Sequence, residues 1–189
     1  MISDELIARV EALTGPDREV DAEIMFDLFA KPVGVKKDGG PMGYLWPEDN
    51  PSWSFGIRFP GKDRAWFKRS RRDRETLLIE RDGALVLMND LRVPTLTASL
   101  DAAVALVETA LPGWTWRVAT CSVSDDAWAI PDFNHPVHGE RLLQDFGQVE
   151  GDPSSYWQDI TDVDLRPSGR PAIALVLATL RALRAKEEG

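Results

Sequence analysis

The residues best suited to hold a charged ligand form one run of cations. Between Arg58 and Arg74 stand Arg58, Lys62, Arg64, Lys68, Arg69, Arg71, Arg72 and Arg74, against Asp63 and Asp73 alone. This basic segment lies in a chain of 189 residues whose formal net charge is −9. A guanidinium group is a planar fork of donors that matches phosphate oxygens, and Trp53, Trp66 and Phe67 offer faces on which a base can stack. The pattern points to an anionic ligand such as a nucleotide, with Arg58, Arg64, Arg69, Arg71, Arg72, Trp53 and Trp66 as its candidate contacts. The same composition also describes a solvated hairpin paired to the protein's own acidic surface, or to an acidic surface of a partner or second subunit.

The other chemically suggestive groups are weaker. Gly39-Gly40-Pro41-Met42-Gly43 lacks the Gly-Lys-Ser/Thr ending of a phosphate-binding loop, and no strand pattern precedes it, so it reads as a lid or a plain loop. Asp132, His135 and His138 are metal-ligand types, but Pro136 breaks the helical placement that would put both histidines on one face. No metal and no resident cofactor are expected. Cys121 is the single cysteine, which excludes an intramolecular disulfide and a cysteine-based zinc site; within a strand pattern it reads as a small buried hydrophobe. Ser122 and Ser124 lack a Gly-x-Ser-x-Gly setting. Asp125, Asp126, Asp159, Asp162 and Asp164 read as turn residues, and among 31 acidic residues spacing singles out no acid–base pair. No catalytic residue is assigned. Of seven tryptophans, Trp114 and Trp116 read as core, while Trp46, Trp53 and Trp157 lie in or beside loops, as pocket or interface residues or as buried loop anchors.

These groups need elements to position them. Ser3 caps a helix to Leu13 with Leu6, Ile7, Val10 and Leu13 on one stripe, and Pro16 opens a second with Val20, Ile24, Leu28 and Phe29 inward. Prolines and glycines leave residues 31–52 without a period, which predicts a loop insertion. Strand-like runs follow at Trp53–Phe59, Ala65–Lys68 and Ala84–Met88. Ser99 caps a helix with Leu100, Ala103, Leu106, Val107 and Leu111 as its buried face. Trp114–Val123 alternates as a half-buried strand, Ala127–Ile130 is a further strand, 131–169 is loop-rich, and Pro171 begins a helix to about Ala185. Strands in runs predict an α+β fold: a single domain over 1–189, with an antiparallel sheet layered between helices.

Composition sets the outer bounds. Hydrophobic residues make up 43% and charged residues 28%, ordinary for a globular chain. No apolar run of signal-peptide type occurs in residues 1–29, and no 18-residue apolar stretch occurs anywhere, so neither secretion nor membrane spanning is expected. The negative net charge disfavours general nucleic-acid binding while leaving room for a local basic patch.

Three blocks carry a family resemblance. They are Leu13-Thr14-Gly15-Pro16-Asp17-Arg18-Glu19-Val20-Asp21; Val93-Pro94-Thr95-Leu96-Thr97-Ala98-Ser99-Leu100-Asp101-Ala102-Ala103 with Leu111-Pro112-Gly113-Trp114-Thr115-Trp116; and Arg170-Pro171-Ala172-Ile173-Ala174-Leu175. Together they resemble the phage ABA sandwich family, small proteins of tailed phages and prophages with helices on both faces of a sheet. The blocks cover under half the chain, in the family's order. Members often carry an aromatic where Leu96 stands and are commonly shorter, so residues 31–90 and 131–160 look like elaborations. The resemblance implies a phage or prophage source and expression in the bacterial cytoplasm, and it brings no catalytic residues with it. The resulting expectation is a phage accessory protein that binds a ligand or partner, with sequestration of an anionic nucleotide as one form. The alternatives are a protein-interaction module, homo-oligomeric or not, and a phosphate-ester enzyme that holds substrate with the arginines. If the basic run holds an anion, replacing Arg69, Arg71 and Arg72 together with Gln abolishes the calorimetric heat of nucleotide or cyclic-nucleotide binding. If the run is only a solvated face, the wild type gives no heat, and the triple variant keeps its oligomeric state and melting temperature.

Overall fold

A computed structural model describes residues 2–29, 31–35, 41–45, 54–58, 76–81, 84–89 and 93–188; in the five strands between 31 and 89 it describes the backbone. In chain order the elements are α1 (Asp4–Glu11), α2 (Arg18–Phe29), β1 (Lys31–Val35), β2 (Pro41–Leu45), β3 (Ser54–Arg58), β4 (Thr76–Arg81), β5 (Ala84–Asn89), α3 (Leu100–Ala110), β6 (Trp114–Thr120), β7 (Asp125–Pro131), α4 (Gly139–Phe146), α5 (Pro153–Thr161), β8 (Val163–Leu165) and α6 (Pro171–Glu188). The class is α+β, with antiparallel sheets packed against helices, as the runs of strands predict. The chain divides into two compact units: residues 1–17 with 95–189, and residues 18–94 inserted between them.

The first unit is built around α6. Its first half is apolar on every side, and from Ala172 to Leu180 no residue is more than 5% exposed. A helix of that kind must be covered all round. One side lies on a three-stranded antiparallel sheet of order β6-β7-β8. There β7 presents Ala127 and Ala129, both fully buried, and their small side chains let the helix approach closely. Helices α1 and α3 lie against α6 and bury Leu6, Val10, Ala103, Leu106 and Val107. Both have the expected caps: Ser3 Oγ accepts from the Leu6 amide at 3.1 Å, and Ser99 Oγ from the Ala102 amide at 3.3 Å. Leu100, expected on the buried face of α3, is 37% exposed at that helix's first residue.

Two junctions fix the frame. Asp125, fully buried at the start of β7, accepts hydrogen bonds from the Thr120 hydroxyl at the end of β6 and from the Arg170 amide just before α6. A carboxylate there also faces the positive end of the α6 dipole. The Arg170 guanidinium donates to the Leu13 carbonyl beyond α1 at 2.6 Å and to the Pro167 carbonyl at 3.0 Å. One residue pair therefore joins the sheet, α6 and the end of α1. At the far end Trp114, Phe146 and Trp157 meet edge to face, with ring centroids 5.3–5.8 Å apart, and the Trp157 indole donates to the Phe146 carbonyl at 2.9 Å. Trp157, expected in a pocket or interface or as a loop anchor, is a buried anchor here. The turn before β6 requires Gly113: its φ is +83°, and a Cβ there would lie 2.6 Å from His138 Cβ.

The second unit holds α2 and a five-stranded antiparallel sheet of order β1-β2-β3-β5-β4, with α2 against β4. Arg18 closes it at the base, donating to the Val93 carbonyl at 2.7 Å, the Pro94 carbonyl at 2.9 Å and the Asp21 carboxylate at 2.8 Å. In the first unit, the Asp17 amide donates to Thr97 Oγ1 at 2.9 Å, so the chain leaves and returns side by side.

Several expectations are corrected. Residues 31–52, expected as a loop insertion, contain β1 and β2, which pair in the register Val33 to Gly43. Their prolines and glycines erase the alternation that marks a strand, although Pro32 and Pro41 lie at strand ends, where the missing amide is tolerated. Strand β4 was not foreseen, and Ala65–Lys68 lies outside the described residues. The loop-rich reading of 131–169 gives way to α4, α5 and β8, elements of eight, nine and three residues set among the turn-forming Asp, Gly and Pro residues that suggested loops. Leu106, 4% exposed on the helix packed against α6, gives a direct check. Leu106→Ala lowers stability by about 2–5 kcal/mol in chemical denaturation, the usual cost of an emptied leucine site.

Candidate functional site: the uncovered face of the small sheet

Side chains alternate across a strand, so the strands that cover α6 also present a second face. On β7 the residues Asp125, Ala127 and Ala129 point to the core, and Asp126 and Trp128 point away. On β6, Trp114 and Trp116 belong with the core, and Arg117 is exposed. On β8, Val163 and Leu165 are buried, and Asp164 is exposed. The register sets Arg117 opposite Trp128, and Asp126 opposite Asp164.

These residues line an open cleft of about 450 Å³, together with Ser124, Arg166, Gln158 and Asp162. Helix α5 supplies Gln158 and the residue that follows it, Asp162. It is held against the edge of β7 by Thr161: that hydroxyl accepts from the Ala129 amide at 3.2 Å, beyond the end of β8, and donates to the Trp157 carbonyl at 2.9 Å. Among the described residues Trp128 is the one aromatic group in the cleft, half-buried, with polar groups around it.

The cleft's charges are partly paired. Arg166 donates to Asp164 from Nε at 3.0 Å and from Nη2 at 2.9 Å. The guanidinium holds the Asp164 carboxyl below the usual carboxylate range, and the carboxylate in turn pushes the Arg166 guanidinium up. The Ser124 hydroxyl carries one hydrogen, shared between the Asp126 carboxylate at 3.2 Å and the Cys121 sulfur at 3.4 Å.

Beside the cleft, the β6–β7 turn runs from Cys121 to Ser124, closed by the Cys121 amide donating to the Ser124 carbonyl at 3.0 Å. Cys121 is exposed, which corrects the expectation of a buried strand residue: β6 ends at Thr120, so the cysteine falls on the turn. The Ser124 amide donates to its sulfur at 3.3 Å, and the Ser124 hydroxyl lies 3.4 Å away. The Ser124 hydroxyl, followed by the Val123 and Ser124 amides, holds the thiol below its usual range. Asp125, Asp126 and Asp164, expected in turns, lie on strands.

Of the residues proposed from sequence for an anionic ligand, Arg58 ends β3; Trp53, Arg64, Trp66, Arg69, Arg71 and Arg72 lie outside the described residues. His135 and His138 stack with ring centroids 4.8 Å apart. His135 Nδ1 accepts from the amides of Val137 and His138, each at 3.1 Å, so this nitrogen organises the turn into α4. The cleft itself was missed in the sequence. The only available signal was the alternation of Asp126, Trp128 and Ile130 with Asp125, Ala127 and Ala129, which becomes informative only once α6 is known to cover one side.

Among the described residues, no helix is long and apolar enough to cross a membrane. No family model matches the chain, and neither does any curated protein or any solved structure.

The hydrogen bonds at Cys121 set a measurable direction. Ser124→Ala removes the strongest of them, so the thiol's pKa rises and its thiolate fraction at pH 7 falls. Alkylation by iodoacetamide at pH 7 is then slower in Ser124→Ala than in the wild type, and the gap closes as the pH is raised above the thiol range. Equal rates at pH 7 would show that the hydroxyl does not support the thiolate.

Proposed function

We propose that this chain is a phage or prophage accessory protein that acts in the host cytoplasm by binding, and that the uncovered face of the small sheet is its binding face. The observation that carries the reading is Trp128. It is a large aromatic side chain on a sheet face with no packing role against α6, set in a cleft of otherwise polar lining. The volume lies within the range of about 300–1,000 Å³ that ligand sites occupy. The lining offers guanidinium, carboxylate, amide, hydroxyl and indole groups, a set suited to recognition. The phage source rests on the three sequence blocks described above. A second reading, sequestration of an anionic nucleotide by the basic run at 58–74, rests on the excess of cations over carboxylates in that run.

Native mass spectrometry of the protein purified from bacterial cells, wild type beside Trp128→Ala, tests the reading. The expected result is a bound species on the wild type that falls at least tenfold on the variant, a loss of about 1.4 kcal/mol or more in binding. Because Trp128 lies off the core face, the variant stays folded, with a stability loss of no more than about 1–2 kcal/mol. A species retained equally by both proteins places binding elsewhere; no species on either overturns a binding role. A bound nucleotide lost instead with Arg69, Arg71 and Arg72 favours the second reading.

A further inference from the structure

We infer that the cleft receives a cationic peptide segment, a lysine- or arginine-bearing stretch of a partner protein. This rests on the reading that the uncovered sheet face binds. The first argument is the juxtaposition of like charges. The β7–β8 register sets Asp126 directly opposite Asp164 on the same face, an arrangement that weakens a sheet unless a cation answers it. Asp162 adds a third carboxylate from the end of α5. Arg166 hydrogen-bonds one of the three, Asp164, and its charge is also felt by Asp126, which leaves three carboxylates to one guanidinium on that side of the cleft. Among the described residues, Asp126 and Asp162 form no ion pair; Asp126 has the Ser124 hydroxyl at 3.2 Å.

The second argument is Trp128, which shares a face and a strand with Asp126, two residues away. An indole face attracts a guanidinium or ammonium group, most strongly where both are partly desolvated. A cation on Trp128 therefore has the Asp126 carboxylate beside it. The third argument is that the cleft is open to solvent, so a segment of another chain can reach it. The whole chain's charge of −9 draws such a segment in over longer distances. An anion meets three carboxylates; of the two lining guanidinium groups one is engaged by Asp164, which leaves Arg117 to attract it.

The test is a titration of isotope-labelled protein with an eight-residue synthetic peptide of alternating Arg and Gly, followed by amide shifts and calorimetry. Three proteins are compared: wild type, Asp126→Asn with Asp162→Asn, and Glu108→Gln with Glu150→Gln. Glu108 and Glu150 are exposed and do not line the cleft, so the last variant loses the same charge elsewhere. The expected result is a shift of the Asp126, Trp128 and Asp162 amides, a Kd raised at least tenfold in the cleft variant and less than twofold in the control, and weakening with added salt. Equal weakening in both variants means attraction to net charge alone and overturns the inference. If ADP or an alternating Asp/Gly peptide shifts those amides in place of the basic peptide, the inference is overturned while the binding face stands. If no probe shifts them, the cationic inference falls, and the Trp128→Ala comparison decides the binding face independently.

Discussion

The need to cover α6 on every side organises the first unit. Each large apolar side chain taken from water contributes about 1.5–3 kcal/mol, and this helix buries Ile173, Leu175, Val176, Leu177 and Leu180 almost completely. No single neighbour can cover that surface. The sheet takes one side and α1 and α3 take others. The alanines of β7 follow from the same constraint, because a bulkier residue at 127 or 129 would hold the helix off the sheet and open voids along it.

That constraint also explains where variation is free. A strand has two faces, and packing against α6 commits one. Asp125 and Asp126, adjacent in sequence, therefore have different work. Asp125 is sealed between β6 and the start of α6, where it satisfies the Thr120 hydroxyl and the Arg170 amide. Asp126 faces out, opposite another carboxylate, an arrangement that does nothing for the sheet. A locally unfavourable pairing on an otherwise consistent element is where functional sites are found. The β6–β7 turn adds to the same neighbourhood: Ser124 serves the Cys121 sulfur and Asp126.

The second unit interrupts the first in sequence, over residues 18–94. Thr97 holds Asp17 within the first unit, and Arg18 holds Val93 and Pro94 within the second, so the excursion from 18 to 94 closes on itself at both levels. Such an arrangement lets an inserted segment change in length and composition with little effect on the core it interrupts, since loop-closure cost grows slowly with length. The basic run lies within this insertion.

The sequence by itself determined the parts governed by local chemistry. The Ser3 and Ser99 caps, the stripes of α1 and α3, the alternation of β6 and the apolar start of α6 depend on neighbours within a turn or two, and they are legible without any partner. The α+β class follows from their order. Strands β1 and β2 stayed hidden because glycine and proline remove the pattern while pairing restores the hydrogen bonds, and pairing is a property of two segments. Cys121 was misplaced because a strand and the turn that ends it look alike until the partner strand fixes the register. The cleft is a tertiary decision altogether. Residues 126 and 128 alternate along β7, but nothing in the sequence ties them to 117, 124, 158, 162, 164 and 166. They converge because α6 claims one face of the sheet, β8 pairs beyond β7, and Thr161 pins α5 along the edge.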